Sequence, residues 1–134
     1  MEGILIISHG NYAQGLVDSA RFIIGNNLRQ LECVCYNRND DQDSFHEKVL
    51  KAFKEVDSGD GVYILLDVAA GMCLKEAALL LNDKVEIISG VNVPLLLEVL
   101  TKRMTGNALD KQDLIAKGQA GLVDVREYLA WRLN

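Results

Sequence analysis

Four short apolar runs, near residues 3–9, 29–36, 62–67 and 85–89, are each followed by a stretch with helical spacing, and that alternation leaves the chain few architectures. A strand followed by a helix and then another strand joins parallel strands through right-handed crossovers, with helices covering the sheet. The expected fold class is therefore α/β: an open, mostly parallel four-stranded sheet with helices on both faces. With 134 residues, a single domain spanning 1–134 is expected.

The helical stretches carry their own signals. Leu16, Val17, Ala20, Ile23 and Ile24 recur at helical spacing over about 11–25, and Gly25-Asn26-Asn27 ends the pattern. Ser44 and Glu47 read as a capping box ahead of the stripe Phe45, Val49, Ala52, Phe53 and Val56. Lys75 to Asn82 is rich in helix formers. A fourth helix opens after Gly90-Val91-Asn92-Val93-Pro94 and runs to about Arg103, with its proline in the first turn. Beyond Asp110 the pattern is ambiguous. Leu114, Ile115, Leu122, Val125 and Leu129 suit a long helix weakened at Gly118 and Gly121, while Leu122 to Val125 also reads as a short strand.

Parallel strands deliver their carboxyl ends to one rim, where open α/β sheets bind ligands. His9 ends the first run and Asp67 the third, with Ser89-Gly90 closing the fourth. If the first and third strands are neighbours, the carboxylate takes a hydrogen bond from one ring nitrogen of His9 and leaves the other nucleophilic. The helix after His9 begins there too, and its free N–H groups suit an anion. His9 thus reads as a phosphoryl acceptor or as a polar residue that merely ends a strand. Asp67 reads as its partner or as a helix cap.

Other chemistries find no footing. The net charge of −5 gives no broad basic surface for nucleic acid or anionic lipid. Gly59-Asp60-Gly61 precedes a strand and lacks the dinucleotide pattern, and no nucleoside-triphosphate loop is present. The acidic run 39–43 has His46 where a calcium loop requires glycine. His46 has no second zinc ligand at suitable spacing and is expected to be solvated, so neither a metal nor any other cofactor is expected. Three cysteines cannot all pair; Cys33 and Cys35 alternate on one strand face as small packing residues, which suits a reducing compartment. The first residues lack a basic segment and a long apolar core, and no run approaches the ~20 residues of a membrane span. A cytoplasmic protein is expected.

The segments Ile4-Leu5-Ile6-Ile7-Ser8-His9-Gly10, Leu65-Leu66-Asp67 and Gly90-Val91-Asn92-Val93-Pro94-Leu95-Leu96-Leu97-Glu98 together resemble the mannose-family (mannose/fructose/sorbose) IIA component of the bacterial phosphoenolpyruvate-dependent sugar phosphotransferase system. The resemblance follows nearly the whole chain in order and spacing. It implies a cytoplasmic transferase subunit in which His9 takes phosphate from the histidine phosphocarrier protein and passes it to a IIB component. A membrane complex of IIC and IID components then couples transfer to sugar uptake. It further implies that Asp67 orients His9, that Gly10, Gly71 and Met72 lie against the phosphoryl group, and that the chain forms a homodimer able to exchange a carboxyl-terminal strand.

One stretch departs from the family. Where a Gly-Ser-Pro-x-Asn sequence is usual, this chain has Gly71-Met72-Cys73-Leu74-Lys75, which removes a hydroxyl and introduces a lysine. A lost neutral hydrogen bond costs about 1 kcal/mol, under tenfold in rate. Lys75 offers compensating charge. Two other readings stand beside the transferase: a regulatory or degenerate IIA-like interaction protein, and the phosphodonor subunit of a dihydroxyacetone kinase. The apolar residues of 105–134, Trp131 among them, are expected to serve the dimer interface.

Overall fold

The computed structural model describes residues 1–133. Four strands, β1 (Gly3–His9), β2 (Leu31–Tyr36), β3 (Val62–Leu66) and β4 (Val85–Ser89), form one all-parallel sheet in the order β2-β1-β3-β4. The helices are α1 (Tyr12–Ile24), α2 (Gln42–Val56), α3 (Gly71–Ala78), α4 (Val93–Met104), α5 (Lys111–Ala120) and α6 (Val125–Leu133).

Period-two alternation along the central strands divides the core. Ile4, Ile6, Tyr63 and Leu65 pack with α1, α4 and Leu114 of α5, whereas Leu5, Ile7, Ile64 and Leu66 pack with α2 and α3. Both faces of β1 and β3 are covered, which is why these strands read as unbroken apolar runs. Truncating a side chain such as Ile6, with no exposed surface, costs about 2–5 kcal/mol. Cys33 and Cys35 share the first of these faces, as their spacing predicts.

Three boundaries differ from expectation. Asp41, not Ser44, caps α2: its Oδ1 accepts the Ser44 N–H at 2.8 Å, and Ser44 lies inside the first turn. Helix α3 starts at Gly71 and stops at Ala78, so residues 79–82 of the helix-forming run lie outside it. The chain must reverse there into β4, and Asn82 closes the reversal by accepting the Lys84 N–H on Oδ1 and the Val85 N–H on its carbonyl.

The tail is two short helices, neither one long helix nor a strand at 122–125. Asp124 ends the break by accepting the Arg126 and Glu127 N–H groups on Oδ1. The two glycines serve close packing. A Cβ on Gly121 would fall 2.5 Å from Pro94 Cγ, and one on Gly118 would fall 3.3 Å from Leu95 Cβ. Asn92 binds this contact from both ends of its side chain: Oδ1 accepts the Leu95 N–H, and Nδ2 donates to the Gly118 carbonyl. Leu114 is buried within the subunit, which removes it from the expected interface. Leu122 and Trp131 remain 86% exposed.

Candidate functional site

The parallel pairing of β1 with β3 brings Ile7 level with Leu66, so the last residue of β1 and the first residue after β3 reach the same rim. His9 and Asp67 meet there. The His9 ring donates from Nδ1 to Asp67 Oδ2 at 2.9 Å, and the His9 backbone N–H donates to the same oxygen at 2.9 Å. Oδ1 accepts the Val68 N–H at 2.8 Å. Burial pushes the Asp67 carboxyl upward, but the His9 backbone, the His9 ring and the Val68 N–H together hold it below the usual carboxylate range. An ionised carboxylate here accepts the Nδ1 proton, so that in the neutral ring the lone pair lies on Nε2.

The base of the histidine is rigid. Ser8, fully buried, donates its hydroxyl to the Gly10 carbonyl and accepts the Ala13 N–H at 2.8 Å, which fixes the entry into α1. Tyr12 ties that same turn to the β4–α4 loop by donating to the Val91 carbonyl at 2.6 Å. Gly10 takes φ +63° and so permits the sharp departure from β1.

Gly71 faces the free nitrogen. It adopts φ +69°, and a Cβ added to it would lie 3.0 Å from Nε2. It opens α3 after Ala70, and no side chain caps the first-turn N–H groups of that helix. Met72 follows in that turn with its side chain against the α2–α3 core. Lys75 is exposed on α3 and does not line the hollow next to His9.

That hollow, about 690 Å³, is lined by His9, Gly10, Asn11, Tyr36, Asn37 and Arg38. Tyr36 meets the imidazole edge-on, with ring centroids 6.1 Å apart. Tyr36 and Arg38 are absent from the residues picked out in the sequence. Tyr36 ends the second apolar run, which places it on the same rim, and the register pairs it with His9.

Cys73 is a second omission. Its buried thiol lies 3.7 Å from Nδ1 of His9, and burial, then the charge of Asp67, pushes its pKa up to about 12. His46 is not the solvated residue expected. Its ring donates from Nδ1 to the buried Glu76 at 2.6 Å, joining α2 to α3, and this bond raises its pKa.

A family model described as the PTS system fructose IIA component, EIIA-man, matches residues 3–115. The chain belongs to the EIIA-man family. It is thus a mannose-family IIA component of a phosphotransferase system, a class with phosphotransferase activity in sugar transport. It is 29% identical over 105 residues to the PTS system fructose-specific EIIA component of Bacillus subtilis, covering 77% of this chain and 71% of that protein. It is 27% identical over 110 residues to the PTS system mannose-specific EIIAB component of Escherichia coli K12, which covers 81% of this chain and 34% of that longer protein. The crystal structure of the PTS IIA protein associated with the fucose utilization operon from Streptococcus pneumoniae superposes with a TM-score of 0.84 at 26% identity, over 96% of both chains. Among the described residues, no helix of this IIA component is long and apolar enough to cross a membrane.

Proposed function

We propose that this IIA component carries a phosphoryl group on Nε2 of His9, taking it from the histidine phosphocarrier protein and passing it to a IIB component for sugar uptake. The observation that supports this best is the Nδ1 to Asp67 bond, which in the neutral ring places the lone pair on Nε2, facing the start of α3.

The step balances simply. The Nε2 lone pair bonds to phosphorus as the P–N bond to the donor histidine breaks, and the donor ring leaves with that electron pair. The His9 ring gains positive charge in the process, and Asp67 stabilises it through Nδ1. The backbone N–H groups near Gly71 and Met72 face the phosphoryl oxygens, with Gly10 beside them, and the Arg38 guanidinium adds positive charge at the hollow's edge. Transfer in this form calls for neither metal nor nucleotide. The chain acts in the cytoplasm as one carrier domain and a homodimer, associated indirectly with IIC and IID components.

Supplying phosphoenolpyruvate, the first enzyme of the system and its phosphocarrier should label the chain with an acid-labile, alkali-stable phosphate. His9→Ala should abolish the label and His46→Ala should retain it. Undiminished labelling of His9→Ala would exclude the proposal. A regulatory role is favoured by one observation, the apolar packing of Met72 where a hydroxyl donor is usual. Labelling without onward transfer to any IIB component would select it.

A further inference from the structure

Phosphoryl transfer makes no use of Cys73, yet the thiol completes a set of metal donors. Nδ1 of His9 faces Asp67 Oδ2 at 2.9 Å and Cys73 Sγ at 3.7 Å. One ligand atom from each of the three residues lies within 4.8 Å of the others. They come from three separate elements, the end of β1, the loop after β3 and the first turn of α3. The backbone N–H groups of His9 and Val68 hold the carboxylate in place. A tetrahedral ion with bonds of about 2.0–2.1 Å to nitrogen and about 2.3 Å to sulfur sets those two donors about 3.6 Å apart, close to the spacing found here. Imidazole, thiolate and carboxylate together suit zinc and disfavour magnesium or calcium, which take oxygen ligands.

We propose that His9 Nδ1, Asp67 and Cys73 form a binding site for a thiophilic divalent cation of the zinc type, whose occupancy excludes phosphorylation of His9. Binding forms one bond each to nitrogen, oxygen and sulfur. The thiol proton leaves to solvent, and the ring proton shifts from Nδ1 to Nε2. The thiolate and carboxylate together neutralise the ion's two charges. With Nδ1 bonded to the metal and Nε2 protonated, the ring has no lone pair left for phosphorus. The half of this concerning exclusion rests on the phosphoryl-carrier reading; the binding half does not.

Cobalt(II) is a suitable probe, because a cobalt–thiolate bond gives a charge-transfer band in the near ultraviolet. The reduced full chain should show that band at one ion per chain and lose it when zinc is added. Cys73→Ala and Cys73→Ser should both abolish the band, with thermal unfolding reporting that each variant folds. The double variant Cys33→Ser, Cys35→Ser should keep it, and His9→Ala should weaken cobalt binding by more than about tenfold. No band in the wild-type chain, or a band that survives in folded Cys73 variants, would overturn the site.

The second measurement is phosphate loading from pre-phosphorylated carrier as zinc is raised. Wild-type loading should fall as the site fills and return with a chelator, while each Cys73 variant keeps its own zinc-free rate. Equal zinc inhibition in the Cys73 variants would overturn the exclusion. A cobalt band in a chain that accepts no phosphate even without zinc would count against the carrier reading and leave the metal site standing.

Discussion

Asp67 Oδ2 accepts two hydrogen bonds from His9, one from its backbone N–H and one from its ring, each at 2.9 Å. A single carboxylate oxygen thus fixes both the position and the tautomer of the imidazole. Asp67→Asn removes the negative charge that stabilises the ring as it takes up phosphate, and its amide NH2 must face a backbone N–H at either oxygen position, that of His9 or that of Val68. Single-turnover loading of His9 should slow by up to about 10⁴-fold, the scale seen when an orienting carboxylate is replaced by its amide. Unchanged rates in rapid-quench experiments would reduce Asp67 to a loop residue.

Gly71→Ala should harm transfer more than stability. The residue sits at φ +69°, where an L side chain costs about 1–2 kcal/mol. The new methyl would also stand 3.0 Å from Nε2, forcing the ring aside and occupying the approach to phosphorus. Denaturant unfolding should report the modest loss, and loading from phosphorylated carrier a drop well beyond it. A loading rate matching wild type would show that phosphorus arrives by another path.

His46 and Glu76 give stability a pH dependence of known sign. The folded-state pKa of His46 is raised, chiefly by its bond to Glu76, so its contribution is fully present below the unfolded value of 6.5. It fades as pH rises through the folded value. The melting temperature of His46→Gln should lie furthest below wild type near pH 6 and approach it in mildly alkaline buffer. A gap that is constant with pH would mean that the ring acts through packing alone.

The tail should govern assembly. Light scattering should give a dimeric mass for the full chain at micromolar concentration and a monomeric mass for a chain ending after Gly121. The cut belongs there and not near Thr105, because Leu114 is buried in this subunit's own core. A monomeric full chain would reject the homodimer.

Much of this molecule is written in patterns of short range. The unbroken apolar runs of β1 and β3, and the proline in the first turn of α4, mark elements whose signals lie within a few residues. The meeting of His9 with Asp67 follows from the parallel topology plus one adjacency, β1 beside β3. Tertiary approach is what the sequence conceals. Gly118 and Gly121 look like helix weaknesses until Pro94 and Leu95 are seen against them. His46 looks solvent-facing until Glu76, thirty residues on, arrives from α3. Cys73 sits where proline is usual in the family, and nothing in its neighbours signals that its sulfur points at an imidazole.

The location of His9 has a kinetic consequence. Its side chain is 42% exposed on a single rim, and the ring bond to Asp67 holds it at one station there. On the phosphoryl-carrier reading, the incoming and outgoing partners must use the same face and cannot be docked together. Turnover should then follow a ping-pong scheme, with parallel double-reciprocal lines, and an excess of unphosphorylated IIB component should inhibit loading competitively against the phosphorylated carrier.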